Sequence, residues 1–166
     1  MRDEAATEFE QDLLPGYEEW LERLSATYRS VAYYCFHRLH DRALAEGVSV
    51  EVVAEMLARP KVFRYFGLPF SGQIGRSAEP RIARLQREKQ RGKAGEDPRE
   101  WQKLSSRLLG VSPEHQEVFV LAYVEGYPDT QIAAALGCSE DTARQRREDM
   151  AHLLQELSKM VLLRNA

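Results

Sequence analysis

Residues 142–149, TARQRRED, crowd Arg144, Gln145, Arg146 and Arg147 into four consecutive positions, shortly after Ser139 and Thr142. Arginine carries a planar fork of donors that fits guanine edges and phosphate oxygens, and glutamine pairs with adenine through two hydrogen bonds. The hydroxyls of Ser139 and Thr142 are suited to the sugar–phosphate backbone. A second concentration lies upstream, where Arg76, Arg81, Arg84 and Arg87 follow Tyr65 and Phe66. Cations there would lie along phosphates, and an aromatic face can stack an unpaired base. Phe63 and Phe70 in the same stretch suit a core better. The chemistry available is recognition of a polyanion. An ordinary solvated basic face is the bland alternative for both sets.

Bond-making chemistry finds no such concentration. His37, His40, His115 and His152 are scattered, and Cys35 and Cys138 stand far apart with no CxxC. No zinc spacing, disulfide framework, glycine-rich phosphate loop or nucleophile motif is present. The reading is a non-enzyme with no metal and no cofactor.

The 166 residues carry a net charge of −3, but the charge is unevenly placed. Residues 1–60 hold 6 Lys/Arg against 12 Asp/Glu, residues 61–93 hold 9 against 2, and residues 94–166 hold 8 against 12. A basic block between acidic ones is a local field, and local fields select partners. A hydrophobic share of 43% supports a folded core. No apolar run approaches the length of a membrane span, and the acidic N-terminus does not resemble a secretory signal. The expectation is a cytoplasmic protein with no membrane contact.

These side chains need helices to hold them. Tyr17, Trp20, Leu21, Leu24, Tyr28, Val31, Ala32 and Cys35 recur at steps of three and four, which predicts one long helix or a helical pair over 17–46. Ser49 is a candidate cap for a further helix over 49–58, and Pro60 should end it. Helix resumes from Ile74 to about Lys89, with Pro80 in a first turn or at a kink. QRGKAGEDP, residues 90–98, is polar and marks a linker. Trp101, Leu104, Leu108 and Leu109 begin the next helix, which stops near Gly110. Ser112-Pro113 starts another whose inward residues are Val118, Leu121, Ala122 and Val124. A short helix over 128–137 turns at Gly137 into a longer one capped by Ser139. No strand pattern survives, so the fold class is all-α, with two small helical domains. The expected divisions are an acidic arm at 1–16, a helical domain at 17–89, a linker at 90–103 and a helix-turn-helix domain at 104–166.

The stretch from Val111 to Leu157 resembles region 4 of bacterial sigma factors of the sigma-70 family, especially the extracytoplasmic-function group. The resemblance rests on Val111, Pro113, Val118, Leu121, Tyr123, Gly126, Gln131, Ile132, Ala133, Leu136, Gly137, Ser139 and Thr142, followed by Ala143-Arg144-Gln145-Arg146. The front half is similar, more faintly, to region 2 of the same family. Asp41, Ala45, Glu46 and Glu51 fall on family positions, as do Phe70, Ile74 and Ala78. The resemblance implies binding to core RNA polymerase and promoter DNA, with the helix after Ser139 reading the −35 element. It also implies a region 2-like part docking on the polymerase through Asp41, Glu46 and Glu51, and capturing the −10 strand. An anti-sigma factor is a further partner it suggests.

The sequence departs from the family pattern where contacts are made. Gly47 and Val50 replace polar residues, Gln73 replaces a tryptophan and Pro80 an asparagine. Asp141 replaces a glycine, Arg147 a buried leucine, and Asp149 and Ala151 replace arginines. Two readings stand: a divergent sigma factor that initiates transcription, or a degenerate sigma-like regulator that binds polymerase or an anti-sigma factor without initiating.

Overall fold

The computed structural model describes residues 13–59, 72–90 and 99–162, and the side chains among them except 72–76, 89 and 90. Among the described residues the architecture is helical throughout, with no strand. The helices are α1 (Pro15–Leu39), α2 (Arg42–Leu57), α3 (Gly72–Gln90), α4 (Glu100–Leu109), α5 (Pro113–Phe119), α6 (Asp129–Leu136) and α7 (Glu140–Leu162). The chain leaves α5 through a π-helical turn at Val120–Val124.

The break between α1 and α2 falls earlier than Ser49. His40 adopts a left-handed conformation (φ 55°), and its N–H closes α1 on the carbonyl of Phe36 at 2.8 Å. Asp41 is extended and accepts a hydrogen bond from the Leu44 N–H at 3.0 Å. Its carboxylate offers a better cap than the expected serine, because it is adjacent to the chain reversal. Ser49 is thereby left inside α2, fully buried, and its hydroxyl donates to the Tyr28 carbonyl at 2.5 Å. Pro80 lies in the interior of α3 and faces solvent.

α2 is buried on nearly every side, with residues 44–54 buried except Glu46, so it has neighbours all round. Val48 and Val52 pack with Val31, Cys35 and Leu39 of α1 and with Ala78, Ile82 and Leu85 of α3. Val50, Val53, Ala54 and Leu57 join a second cluster containing Leu104, Leu108, Val118, Phe119, Ile132, Met150, Leu154 and Leu157. Helices from both sides of residues 90–98 share this core. Tyr28 stacks on Trp101 with ring centroids 4.2 Å apart. Trp20 meets Phe119 at 4.4 Å, and the Tyr17 hydroxyl donates to the Leu108 carbonyl at 2.6 Å. Leu14 N–H donates to Gln116 Oε1 at 2.9 Å, so the end of the expected acidic arm is already tied to α5. Residues 100–103, expected within the linker, form the first turn of α4.

Candidate nucleic-acid interface

α6 and α7 form the helix-turn-helix. Gly137 takes φ +69° and ends α6 by directing its N–H to the Ala133 carbonyl. A Cβ there would meet nothing within 4 Å, so glycine is required by the backbone angle and not by crowding. Ser139 Oγ accepts from the Thr142 N–H at 3.1 Å and donates to Thr142 Oγ1 at 2.9 Å. Ile132, Ala133 and Ala143 are buried where the two helices meet, and Met150, Leu154 and Leu157 continue the buried face of α7. Leu136, expected inward, is half-buried.

The opposite face carries the polar head. Ser139, Arg144 and Gln145 are exposed, while Thr142, Arg146 and Arg147 are half-buried. Arg144 reaches back to Asp141 at 2.9 Å in an exposed ion pair, which a competing phosphate can displace at small cost. Gln145 Nε2 donates to Asp149 Oδ1 at 2.9 Å. Arg146 has no hydrogen-bond or ion-pair partner among the described residues. Arg147 differs from all of these. Its Nε and Nη2 donate to Asp129 Oδ1 and Oδ2 at 2.7 and 3.1 Å, a bidentate fork with side chains only 31% and 22% exposed. The half-buried Tyr123 side chain lies near the same guanidinium. The fork holds the Asp129 carboxyl below the usual aspartate range and the Arg147 guanidinium further above its own.

The upstream set is arranged otherwise. Tyr65 and Phe66 lie outside the described residues, as do Phe63 and Phe70, and so does the side chain of Arg76, which sits on α3. Arg81 Nε contacts Glu51 Oε1 at 3.1 Å and Arg81 Nη2 contacts Glu55 Oε2 at 2.8 Å. Arg84 approaches Glu51 at 3.7 Å, and only Arg87 of the three is exposed. Residues expected to face two different partners therefore face each other. Glu51 is buried, and desolvation raises its carboxyl pKa against the pull of Arg81 and Arg84. Glu46 is half-buried and pairs with Arg42 at 3.1 Å, and Asp41 is the α2 cap. The fold thus uses Asp41 and Glu51 internally.

The comparison with known families now bears on this geometry. Residues 101–148 match the family model described as Sigma-70, region 4. The match runs from Trp101 in α4 to Glu148 in α7, and it takes in α6, the turn and the start of α7 with its arginines. No curated protein and no solved structure matches the chain. The matched segment is therefore similar to region 4 of sigma-70 factors, the family's DNA-binding part. Among the described residues no helix is long and apolar enough to cross a membrane, and no group of three or more His, Cys, Asp or Glu could hold a metal.

Sequence reasoning missed Asp129, the partner of Arg147. The signal was available: an arginine at the place where the family pattern has a buried leucine needs a buried acceptor. It also missed the exposed aromatics of α1, Tyr33 at 69% and Phe36 at 43% exposure.

Proposed function

We propose that the chain is a sigma factor of the extracytoplasmic-function type, which binds core RNA polymerase and reads promoter −35 DNA through the start of α7. The observation that carries this reading is the capped, solvent-facing head formed by Ser139, Thr142, Arg144, Gln145 and Arg146 on a matched region 4 unit. Arginine and glutamine at the N-terminal end of a helix that projects from a turn can reach base edges in a major groove. Arg87, with Arg76, Tyr65 and Phe66, is the remaining candidate set for the −10 strand, and Arg81 and Arg84 would join it only after releasing Glu51. Polymerase docking through Glu46 is part of the same proposal, with Asp41 and Glu51 shaping α2 from within. An anti-sigma factor remains a proposed partner, and the cytoplasm the proposed location.

One observation favours the second reading, a regulator that binds without initiating. The −10 and −35 elements lie about 85 Å apart at ~3.4 Å per base pair. A body of the size of the described residues, built round a common core, measures only about 36 Å across. Initiation therefore requires the contacts Tyr28–Trp101, Trp20–Phe119 and Tyr17–Leu108 to part on the polymerase. Transcription in vitro with purified core polymerase and a promoter library separates the two. Specific transcripts support the sigma factor, whereas polymerase binding without transcripts supports the regulator. Neither binding nor transcripts would refute both.

A further inference from the structure

Three arginines stand within one turn of α7, but they do not have equal freedom. Where α6 and α7 meet, the buried residues are Ile132, Ala133 and Ala143, two of them alanines, with Leu136 and Cys138 partly buried beside them. Gly137 gives the turn no side chain to lean on. Two buried alanines and a glycine turn leave the short α6 with few large side chains to set its angle against α7. The Asp129–Arg147 fork spans that angle: Asp129 is the first residue of α6, and Arg147 lies two turns into α7. Two parallel charge-assisted hydrogen bonds fix orientation as well as distance, because both nitrogens must meet both oxygens.

We propose that Arg147 is a positioning residue of the DNA-reading head and not a DNA contact: with Asp129 it sets the angle at which α7 presents Arg144 and Arg146. The inference rests on the reading of α7 as the DNA-facing helix. It also accounts for an acidic residue beside that face, since the carboxylate of Asp129 is neutralised before a phosphate could approach. Detaching Arg147 to make a phosphate contact would leave Asp129 unpaired and a half-buried carboxylate facing DNA.

The test uses the full chain and a duplex enriched from a random-sequence pool by the wild type, with a scrambled duplex as control. Arg147→Met keeps the stem but removes the fork, and Asp129→Asn is nearly isosteric. Each is expected to reduce the preference for the enriched duplex over the scrambled one by about tenfold. The double variant should lose no more than either single one, because both break one device. The slope of log Kd against log salt should stay at the wild-type value, since no phosphate contact is lost. Amide hydrogen exchange at 139–146 should quicken in both. The pair Arg147→Asp with Asp129→Arg should recover part of the preference. The proposal is overturned if Arg147→Met lowers the salt slope by about one while Asp129→Asn binds as tightly as wild type or tighter. A wild type that enriches no sequence would refute the DNA-reading function itself. Unchanged exchange at 139–146 in both variants would then independently refute the strut.

Discussion

Replacing Leu57 by alanine asks whether the two helical groups stand or fall together. Leu57 closes α2, is fully buried, and belongs to the cluster that contains Leu104 of α4 and Leu154 of α7. The substitution removes three carbons from that cluster, a transfer loss of about 2.4 kcal/mol at ~0.8 kcal/mol per methylene. Helices from both groups surround the site, so the void cannot collapse fully, and the cavity raises the total to about 3–4 kcal/mol. For a chain of this size that lowers the melting temperature by roughly 6–16 °C. Scanning calorimetry of the full chain should show one transition before and after the change, displaced as a whole. Amides of α7 between Met150 and Val161 should exchange faster, although the mutation lies in the first group. Two separate transitions, with α7 exchange unaltered, would show that the common core does not couple the groups.

Other consequences follow from single contacts. Arg144→Ala and Arg146→Ala should each weaken specific duplex binding by about 1–3 kcal/mol and flatten the salt dependence, as read by fluorescence anisotropy; unchanged affinity in both would remove α7 as the reader. Gly137→Ala forces a side chain into φ +69° without a clash, so a loss of about 1–2 kcal/mol in denaturant unfolding is expected, and none would mean the turn adjusts freely. Leu136→Ala should cost less than Leu154→Ala, because Leu136 is only half-buried; equal losses would contradict its placement. The Asp129 carboxyl is depressed by Arg147, so its folded pKa lies below its unfolded one. The stability it supplies is present above the unfolded value, near 3.9, and is lost as pH falls through the folded value. The melting-temperature gap between wild type and Asp129→Asn should therefore close on acidification below pH ~4, and a constant gap would show that the pair is not ionic.

The helices of the second half were legible because local signals agree with the final packing. Ser112-Pro113, Gly137 and Ser139 each cap the element they announce. Periodicity likewise exposed the buried stripe of Tyr17, Trp20, Leu24 and Tyr28. The α1–α2 break was misplaced because Ser49 and Asp41 are both good caps in isolation. Only burial of Ser49 against Tyr28, a contact between residues 21 positions apart, decides between them. The shared core escaped for the same reason: a polar linker says where the chain is unpacked, not whether the segments it joins pack on each other. The site was half legible. Arginine spacing located the head, but spacing cannot tell the free Arg146 from the tethered Arg147, or reveal that Arg81 closes on Glu51 from another helix. Those distinctions depend on partners 18 and 30 residues away.

Direct binding of duplex DNA by the α7 head is the claim on which the rest depends. The most direct measurement incubates the full-length chain with a pool of random-sequence duplexes and sequences what it retains, alongside the double variant Arg144→Ala with Arg146→Ala. One motif enriched by the wild type and lost in the variant is the expected result. Equal retention by both proteins, or no enriched motif for either, would contradict it.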